Sequence, residues 1–290
     1  MLTHLFHLHA LSALHVGVGQ AVGAVDLPIA RSRATHLPLV PGSALKGVLR
    51  DELAPAEVPE LFGPERIAEA SAAYAGALAF GDAHLLLLPV RSLAGVCAFV
   101  TCPFVLGRYA EDCRRAGLVT PSLPAVASPQ ALLCQTTCLE VSEHKMVLED
   151  LDLHIAIDPC VDDWADLLAA RLHPDSADAQ RQFRERLAIL ADDDFSFLAD
   201  TATEIRQRIR IDDTRGVVEG GALWSEENLP AETVLWGVIG AAPSRQPQRP
   251  ADAAQVWQRF VAAFARQAPG KVIQLGGKAT IGRGLVRCLF

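Results

Sequence analysis

The first residues of the chain alternate between apolar and polar side chains. The apolar side chains fall on one side of an extended chain and two histidines fall on the other: Phe6, Leu8 and Ala10 against His7 and His9. A period of two is typical of a β-strand. The pattern therefore predicts a first strand over residues 5–14, followed by a glycine-rich loop.

Residues 41–53 have a helical period instead. Their apolar residues recur every three to four positions: Ala44, Leu45, Val48, Leu49 and Leu53. This stripe predicts an amphipathic helix. Ser43 is its expected N-cap, and Lys46 and Arg50 share another face of it.

The remaining segments are assigned by the same two periods. They predict buried strands at 76–90 and 95–106, helical pieces over 161–198 that break near His173, a hairpin at 203–224 that turns at 212–216, a helix at 252–267 and short strands at 271–277 and 285–290. The order of strand, helix, two strands, helix and strand is that of the ferredoxin-like fold, which RNA-recognition domains use. We therefore predict an α+β fold in which the two chain ends meet in one sheet.

Charge is distributed unevenly along the chain. The 290 residues include 26 basic and 34 acidic side chains, a net charge of −8, which by itself argues against a nucleic-acid partner. Residues 1–50, however, carry +3, and residues 253–290 carry +6 without a single acid. An acidic body with a basic face built from the two chain ends would give this distribution, and so would a chance drift of charge along the sequence.

The composition indicates a globular protein. Half of the residues are hydrophobic and 21% are charged, which is not typical of a disordered chain. The longest apolar run, Leu85–Val90, is far shorter than a membrane span, and the apolar start lacks the basic region of a signal peptide. The seven cysteines include no C-x-x-C pair, so we expect a cytoplasmic protein with buried free thiols.

The stretch HVGVGQAVGAVDLPIARSR, at 15–33, contains the only acidic residue before Asp51. Basic neighbours of this residue, Asp26, should lower the pKa of its carboxyl, which favours a metal ligand or an orienting hydrogen-bond acceptor over a general base. An aspartate that caps a turn is the alternative. His15 suits a proton donor or acceptor, or a partly buried residue at a strand end.

Two glycine-rich loops, 17–23 and 276–284, are candidate anion sites. Glycines let main-chain N–H groups approach phosphate oxygens, and Lys278 and Arg283 add charge to the second loop. A pair of ordinary turns is the alternative. The start of the helix at 41–53 also favours anions near Lys46 and Arg50, unless these residues only form a solvated helix face.

Two adjacent acids are further candidates for the site, and the sequence lacks several known catalytic motifs. Glu226 and Glu227 would complete a carboxylate set with Asp26, or they belong to the plain surface. The sequence has no P-loop, no Rossmann context, no Ser-His-Asp pattern, no H-E-x-x-H helix and no zinc-finger spacing. These absences disfavour most hydrolases that are recognisable from sequence.

Four segments carry a family resemblance. They are HVGVGQAVGAVDLPIARSRATHLPLVPGSALKGVLRDEL at 15–53, AFGDAHLLLLPVRSLAGVCAFVTCPFVLGRY at 79–109, GGALWSEENLP at 220–230 and IQLGGKATIGRGLV at 273–286. Together, and in this order along nearly the whole chain, they resemble the RAMP superfamily of CRISPR proteins, and within it the backbone subunit of the type III-B effector, the Cmr complex. The last segment is shared across RAMP proteins.

The resemblance implies a domain organisation and a function. It implies a single RAMP domain over 1–290, with an RRM-like core at about 1–110 and 228–290, a helical insertion at about 111–200 and a β-hairpin thumb at about 201–225. The implied protein binds guide crRNA and stacks head to tail along it with other Cmr subunits. It cuts complementary single-stranded target RNA at regular intervals beside each thumb, as part of antiviral defence.

The resemblance also implies site residues. It places the catalytic aspartate at Asp26, together with a divalent ion, Mg²⁺ or Mn²⁺, and it places a loop histidine at His15 and a supporting acid at Glu227. The implied RNA-binding residues are Gly17, Gly19, Arg31, Arg33, Ser43, Lys46, Arg50, Gly276, Gly277, Lys278 and Arg283. One position departs from the pattern, because Ser225 stands where an aromatic residue is expected before the two acids.

On this hypothesis the nucleophile comes from the RNA. The 2′-hydroxyl next to the scissile phosphate attacks, so the protein needs mainly to impose in-line geometry and to neutralise the phosphorane. The expected products have a cyclic phosphate and a 5′-hydroxyl. Two alternatives remain open: a crRNA-binding structural subunit that does not cut, and an unrelated metal-dependent hydrolase that acts alone.

Overall fold

In the part of the chain that the structure describes, twelve strands form one large sheet, and two further strands form a separate hairpin. The computed structural model describes residues 1–20, 23–64, 74–212 and 214–290. The strands of the large sheet are β1 (Leu2–Ala10), β2 (Leu39–Val40), β3 (Leu78–Phe80), β4 (Ala83–Arg91), β5 (Cys97–Thr101), β6 (Gln130–Leu133), β7 (Lys145–Leu148), β8 (Leu151–Ile157), β9 (Leu187–Leu190), β12 (Val234–Ala241), β13 (Val272–Gln274) and β14 (Leu285–Leu289).

The hairpin and the helices lie between and outside these strands. The hairpin consists of β10 (Glu204–Asp212) and β11 (Val217–Asn228). The helices are α1 (Gly42–Glu52), α2 (Val58–Phe62), α3 (Pro103–Arg115), α4 (Pro159–Leu172), α5 (Ala177–Arg184), α6 (Asp192–Thr201) and α7 (Ala253–Gln267).

Four antiparallel strands in the order β14, β1, β12 and β4 form the part of the sheet that joins the two chain ends. Helix α1 lies between β1 and β4 in the chain, and α7 lies between β12 and β14. Strand β13 pairs with β14 at one edge of the sheet, and β5, β9, β6, β8 and β7 continue it beyond β4. The sheet thus brings residues near both chain ends into neighbouring strands.

Both faces of β1 are covered. Phe6 packs on α7 through Phe290 and Phe260, and on the opposite face the Nε2 atom of His7 lies 2.9 Å from the hydroxyl of Tyr109 in α3. The alternation predicted from the sequence is therefore real. Its polar side is buried nonetheless, because His7 is only 5% exposed.

The boundaries of the first strand and helix differ from the sequence prediction. Strand β1 begins and ends a few residues earlier than 5–14, and helix α1 begins at Gly42, so Ser43 is not its N-cap. Instead the carboxylate of Asp82 accepts a hydrogen bond of 2.8 Å from the Gly42 N–H. The residues around position 43 could not predict this contact, because Asp82 belongs to the turn between β3 and β4, which is near in space but distant in the sequence.

Three further predictions differ in detail from the structure. The segment 95–106 is a strand only to Thr101, because Pro103 starts α3, a position in which proline is favoured. The segment 161–198 breaks after Leu172 as predicted, but it also contains β9 between α5 and α6. The region 111–200, predicted as a helical insertion, includes strands β6 to β9 besides its helices.

The hairpin and the late helix are confirmed. Strands β10 and β11 pair from Glu204 with Asn228 to Asp212 with Val217, and the turn at 212–216 is closed by hydrogen bonds from Arg215 and Gly216 to Asp212. The Asp252 and Gln255 side chains form a capping box at the start of α7, which satisfies N–H groups that a helix start leaves free.

The basic chain ends are partly neutralised. Several of their cations pair with acids: Arg31 with Glu227, Arg259 with Glu60, Arg266 with Glu57 and Lys278 with Glu226. The seven cysteines are free thiols, and four of them are buried. No helix in the described ranges is both long enough and apolar enough to cross a membrane.

Two glycines of α1 have opposite surroundings, which gives a test of the packing that fixes this helix. A Cβ at Gly42 would lie 2.5 Å from the main-chain oxygen of Phe80, whereas a Cβ at Gly47 would meet nothing within 4 Å. We expect Gly42→Ala to lower the free energy of unfolding by about 1–3 kcal/mol and Gly47→Ala to raise it by up to about 1 kcal/mol. Urea denaturation of both variants checks this, and equal effects would contradict the close approach of α1 to the turn before β4.

Candidate functional site

The end of β11 is the scaffold of the site. The loop after β1 runs alongside it: the Leu27 N–H donates to the Ser225 carbonyl (3.1 Å) and the Glu227 N–H donates to the Leu27 carbonyl (3.0 Å). Leu14 and Leu229 exchange two hydrogen bonds of 2.9 Å at the base of the loop. Residues nearly 200 positions apart in the sequence are thus held side by side.

Asp26 is fixed by Ser225. The carboxylate oxygen Oδ2 accepts hydrogen bonds of 2.8 Å from both the N–H and the hydroxyl of Ser225, and the Asp26 N–H donates to the same hydroxyl at 2.9 Å. These partners lie on β11, so Asp26 is not the cap of a local turn. The hydroxyl accounts for Ser225 at a position where the resemblance leads us to expect an aromatic residue.

The electrostatics of Asp26 follow from this contact. The N–H and then the hydroxyl of Ser225 lower the pKa of the Asp26 carboxyl below its ordinary value, since hydrogen bonds to the charged form favour it. The predicted direction is therefore correct, but its cause is Ser225 and not the basic neighbours. Asp26 is exposed, and both hydrogen bonds from Ser225 go to Oδ2.

Glu226 is a buried, charge-paired acid. It is 1% exposed; its Oε1 accepts from Lys278 Nζ (2.9 Å) and Trp224 Nε1 (2.8 Å), and its Oε2 lies 3.4 Å from Arg208 Nε. Burial alone would raise the pKa of Glu226, but the hydrogen bonds from Lys278 and Trp224 outweigh it and lower the pKa. Glu226 therefore ties the glycine-rich loop of 276–284 to the hairpin.

Both carboxylate oxygens of Glu227 also accept hydrogen bonds from the protein. Its Oε1 accepts from Arg31 (2.6 Å) and from the Thr203 hydroxyl (3.1 Å), and its Oε2 accepts from the Ile29 N–H (3.1 Å). Arg31 also donates to the Ala199 carbonyl and to Asp200 near the end of α6. The geometry thus favours a positioning role for Glu227 and Arg31, because neither side chain is left free for a substrate.

Three carboxylates therefore meet at one strand end, and they differ in availability. Asp26 is exposed and unpaired with any cation in the described part of the chain, whereas Glu226 and Glu227 are buried in ion pairs. No group of three metal-ligating side chains is present among the described residues. A single exposed carboxylate still fits Mg²⁺ or Mn²⁺ when substrate phosphates complete the coordination.

His15 has a defined tautomer. Its Nδ1 lies 2.7 Å from the Glu227 carbonyl oxygen, and because a carbonyl only accepts, Nδ1 carries the proton and Nε2 of the neutral ring is an acceptor. The ring is 5% exposed. Gly17 lies against it, since a Cβ there would come within 2.6 Å of Nε2.

The second glycine-rich loop closes over His15. The Gly277 N–H donates to the His15 carbonyl (2.9 Å), and Gly276, at φ +81°, lies so close to that carbonyl that a side chain would clash with it. Only glycine suits this position, because an L side chain is strained at positive φ. Lys278 is the next residue after Gly277. Because the loop is held against His15 at this point, the ammonium of Lys278 lies within reach of Glu226.

Other predicted RNA-binding residues lie apart from the cluster formed by His15, Asp26, Ser225, Glu226 and Glu227. Ser43, Lys46 and Arg50 are on α1, which packs beside β3 and β13, and within the described residues they make no hydrogen bond or ion pair through their side chains with the cluster. Three more lie in the loops next to the cluster. Gly19 and Arg33 are exposed, and Arg283 is half-buried.

Sequence reasoning did not assign a role to Ser225 or to the pairing of Glu226 with Lys278. The only signal was local: an alternating strand that ends in two acids. The ion pairs of the two acids depend on Arg31, Arg208 and Lys278. These cations come close to the acids only in the folded chain, so the local sequence does not show the pairing.

Comparisons with known proteins place the chain among CRISPR proteins. A family model described as the RAMP superfamily matches residues 7–287. The CRISPR system Cmr endoribonuclease Cmr4 of Pyrococcus furiosus is 33% identical, and the match covers 99% of this chain and 95% of that relative.

Solved structures give the same result. The crystal structure of oligomeric Cmr4 from Pyrococcus furiosus has a TM-score of 0.75 at 26% identity and covers 100% of this chain and 97% of that one. A chain of the type III-B Cmr-beta complex bound to cognate target RNA has a TM-score of 0.70 at 21% identity, with coverage of 100% and 97%. The latter likeness shows a shared fold.

Removal of the Ser225 hydroxyl tests how Asp26 is held. We expect the pKa of Asp26 to rise part of the way to its ordinary value in Ser225→Ala, because the hydroxyl is lost while the main-chain N–H remains. A carbon-13 NMR titration of the Asp26 carboxyl measures this shift. Ser225→Thr keeps the hydroxyl and should leave the pKa low; equal pKa values in both variants and the wild type would refute the contact.

Lys278→Met tests the buried acid. Because the pKa of Glu226 is lowered in the folded state, its contribution to stability is present above its ordinary pKa and is lost as pH falls through the folded pKa. We expect the variant to lose about 1–3 kcal/mol at pH 7, with a deficit that shrinks as the pH is lowered. Urea denaturation across pH checks this against Lys145→Met, an exposed control; a deficit independent of pH would count against the pair.

Proposed function

The chain belongs to the RAMP superfamily, and we propose that it is the backbone subunit of a type III-B CRISPR effector. In this role it binds guide crRNA, stacks head to tail along it with further Cmr subunits, and cleaves complementary single-stranded target RNA at regular intervals. Support comes from the 33% identity to an endoribonuclease over almost the full length of both chains.

The fold is consistent with this proposal. We assign the core formed by β14, β1, β12 and β4 as ferredoxin-like, because two strand-helix-strand units supply the four strands. The hairpin of β10 and β11 is the proposed thumb. It exposes large apolar side chains, including Ile209 (50%) and Leu223 (63%), which suits insertion between unstacked bases.

The observation that carries the nuclease assignment is the contrast among the three carboxylates. Of the three, Asp26 is the one that is exposed and has no cationic partner among the described residues, yet Ser225 fixes its orientation. It also lies where β11 leaves the hairpin, so a target strand distorted by the thumb would pass next to it. Glu226 and Glu227, by contrast, are buried and paired with cations.

The proposed reaction is a transesterification within the RNA. The 2′-oxygen forms a bond to phosphorus while the bond from phosphorus to the 5′-oxygen breaks; the 2′-hydroxyl gives its proton to solvent and the 5′-oxygen takes one from solvent. With its low pKa, Asp26 remains charged and accepts a hydrogen bond from the 2′-hydroxyl. Because Nδ1 of His15 is bonded to the Glu227 carbonyl oxygen, the atom of the neutral ring that could accept a proton is Nε2.

A divalent ion, Mg²⁺ or Mn²⁺, would be held by Asp26 together with RNA oxygens and would supply neutralisation of the phosphate charge. The phosphates of the guide are proposed to contact Ser43, Lys46 and Arg50 on α1 and the loop of Gly276, Gly277, Lys278 and Arg283. The main-chain N–H groups of that loop and its cations suit phosphate oxygens.

Asp26→Asn separates cleavage from assembly. In complex reconstituted with crRNA, we expect the rate of target cleavage to fall at least ~100-fold, because the fixed negative charge is lost while hydrogen bonding to Ser225 is largely kept. Single-turnover gels measure the rate and the 5′-hydroxyl ends, and filter binding measures crRNA affinity. Asp193→Asn, an exposed acid of α6, is the control; unchanged cleavage in Asp26→Asn would contradict the catalytic assignment of Asp26.

A further inference from the structure

Strand β1 extends beyond its neighbour β14. It pairs with β12 from Leu2 to His9, but its pairing with β14 runs only from His7 to Ala10. The first part of β1 therefore has a partner strand on one side and none on the other, within the described residues.

The direction of the main-chain groups at this edge follows from Ala10. Its N–H donates to Thr233 and its carbonyl accepts from Glu232, both on the β12 side. Because successive residues of a strand direct these groups to opposite sides, Thr3 and Leu5 direct theirs to the β14 side. Those groups have no protein partner in the described part of the chain.

A cleft of about 560 Å³ runs along this edge. Its walls come from β1, the ends of α3 and α4, α7 and the end of β14: Thr3, His4, Leu5, His7, Ala116, Leu118, Arg171, Pro174, Trp257, Lys271, Leu289 and Phe290. The unpaired main-chain groups of Thr3 and Leu5 therefore face a space and not a packed wall.

The cleft is cationic and has an aromatic wall. Arg171 and Lys271 are the two lining side chains that are charged at neutral pH, because burial lowers the pKa of His4 and lowers that of His7 to about 3. His4 stacks on Trp257 with ring centroids 3.8 Å apart, and its buried Nε2 has no hydrogen-bond partner among the described residues. The side chains thus favour an acidic ligand with an apolar part.

We propose that this cleft binds an extended, acidic segment of a partner protein, which adds a strand next to β1. Exposed sheet edges bind peptides in this way, with main-chain hydrogen bonds for affinity and side-chain contacts for selectivity. The main-chain groups of Thr3 and Leu5 supply the ladder, and Arg171 and Lys271 attract the acids. A nucleotide would use the cations and the aromatic wall but would leave the ladder unpaired, so a peptide fits better.

Thr3→Pro and Thr3→Val form a matched test. Proline removes the N–H at the open edge and leaves the hydrogen bonds to β12 intact, and valine keeps the N–H. The probe is the peptide Val-Glu-Val-Glu-Val-amide with fluorescein attached to its N-terminal amine, titrated with the full chain and followed by fluorescence anisotropy. We expect saturable binding that Thr3→Pro weakens about fivefold and that Thr3→Val leaves unchanged.

A second pair of variants tests the charge and does not depend on the folding of Thr3→Pro. Lys271→Glu should weaken binding of the acidic peptide at least about fivefold, and Lys145→Glu, an exposed lysine on β7, should not. A peptide with lysine in place of glutamate should not bind. The proposal is overturned if the acidic peptide does not bind, if both peptides bind equally, or if Lys145→Glu has the same effect as Lys271→Glu.

Amide hydrogen exchange distinguishes the occupant. We expect the Thr3 and Leu5 amides to exchange rapidly in the isolated chain and to become protected when the acidic peptide is added. Protection that instead rises with the concentration of the chain alone would show a second copy in the cleft and would overturn the assignment to a partner protein.

Discussion

The pairing of the loop after β1 with the end of β11 is the interaction on which the site depends. Leu27 exchanges main-chain hydrogen bonds with Ser225 and Glu227, and this register decides which side chain of β11 meets Asp26. Because side chains alternate along a strand, a shift by one residue would replace Ser225 with a bulky or acidic neighbour. The orientation and low pKa of Asp26 are therefore properties of the register and not of the loop sequence.

The same register separates the roles of three acids. Ser225 neutralises no charge, so Asp26 keeps a full negative charge at the surface, whereas Lys278 and Arg31 compensate the charges of Glu226 and Glu227. A buried charge without such a partner would be costly. The cations that looked like an RNA-binding surface in the sequence are thus partly structural. The exposed cations, including Arg33, are the ones that we propose for contact with RNA phosphates.

Much of the fold could be predicted from the sequence because its periods are clear. The stripe of α7 and the alternation of the hairpin gave elements within one to a few residues of those observed. The strand at 187–190 could not be separated from its helical surroundings, because four consecutive apolar residues fit a buried helix as well as a buried strand. Asp26 and His15 were identified through the family resemblance, but the pairing of Glu227 with Arg31 depends on long-range contacts that no local pattern records.

The central claim is that Asp26 acts directly on the scissile phosphodiester. The most direct measurement is a structure of the reconstituted complex with crRNA and a target RNA whose 2′-hydroxyl is replaced by hydrogen at the cleavage position. The account predicts that the carboxylate of Asp26, still bonded to Ser225, faces the 2′ position that lacks its hydroxyl and lies about 5 Å from a scissile phosphate oxygen across one bridging ion or water. A scissile phosphate more than about 10 Å from Asp26 in the fully paired complex would contradict it.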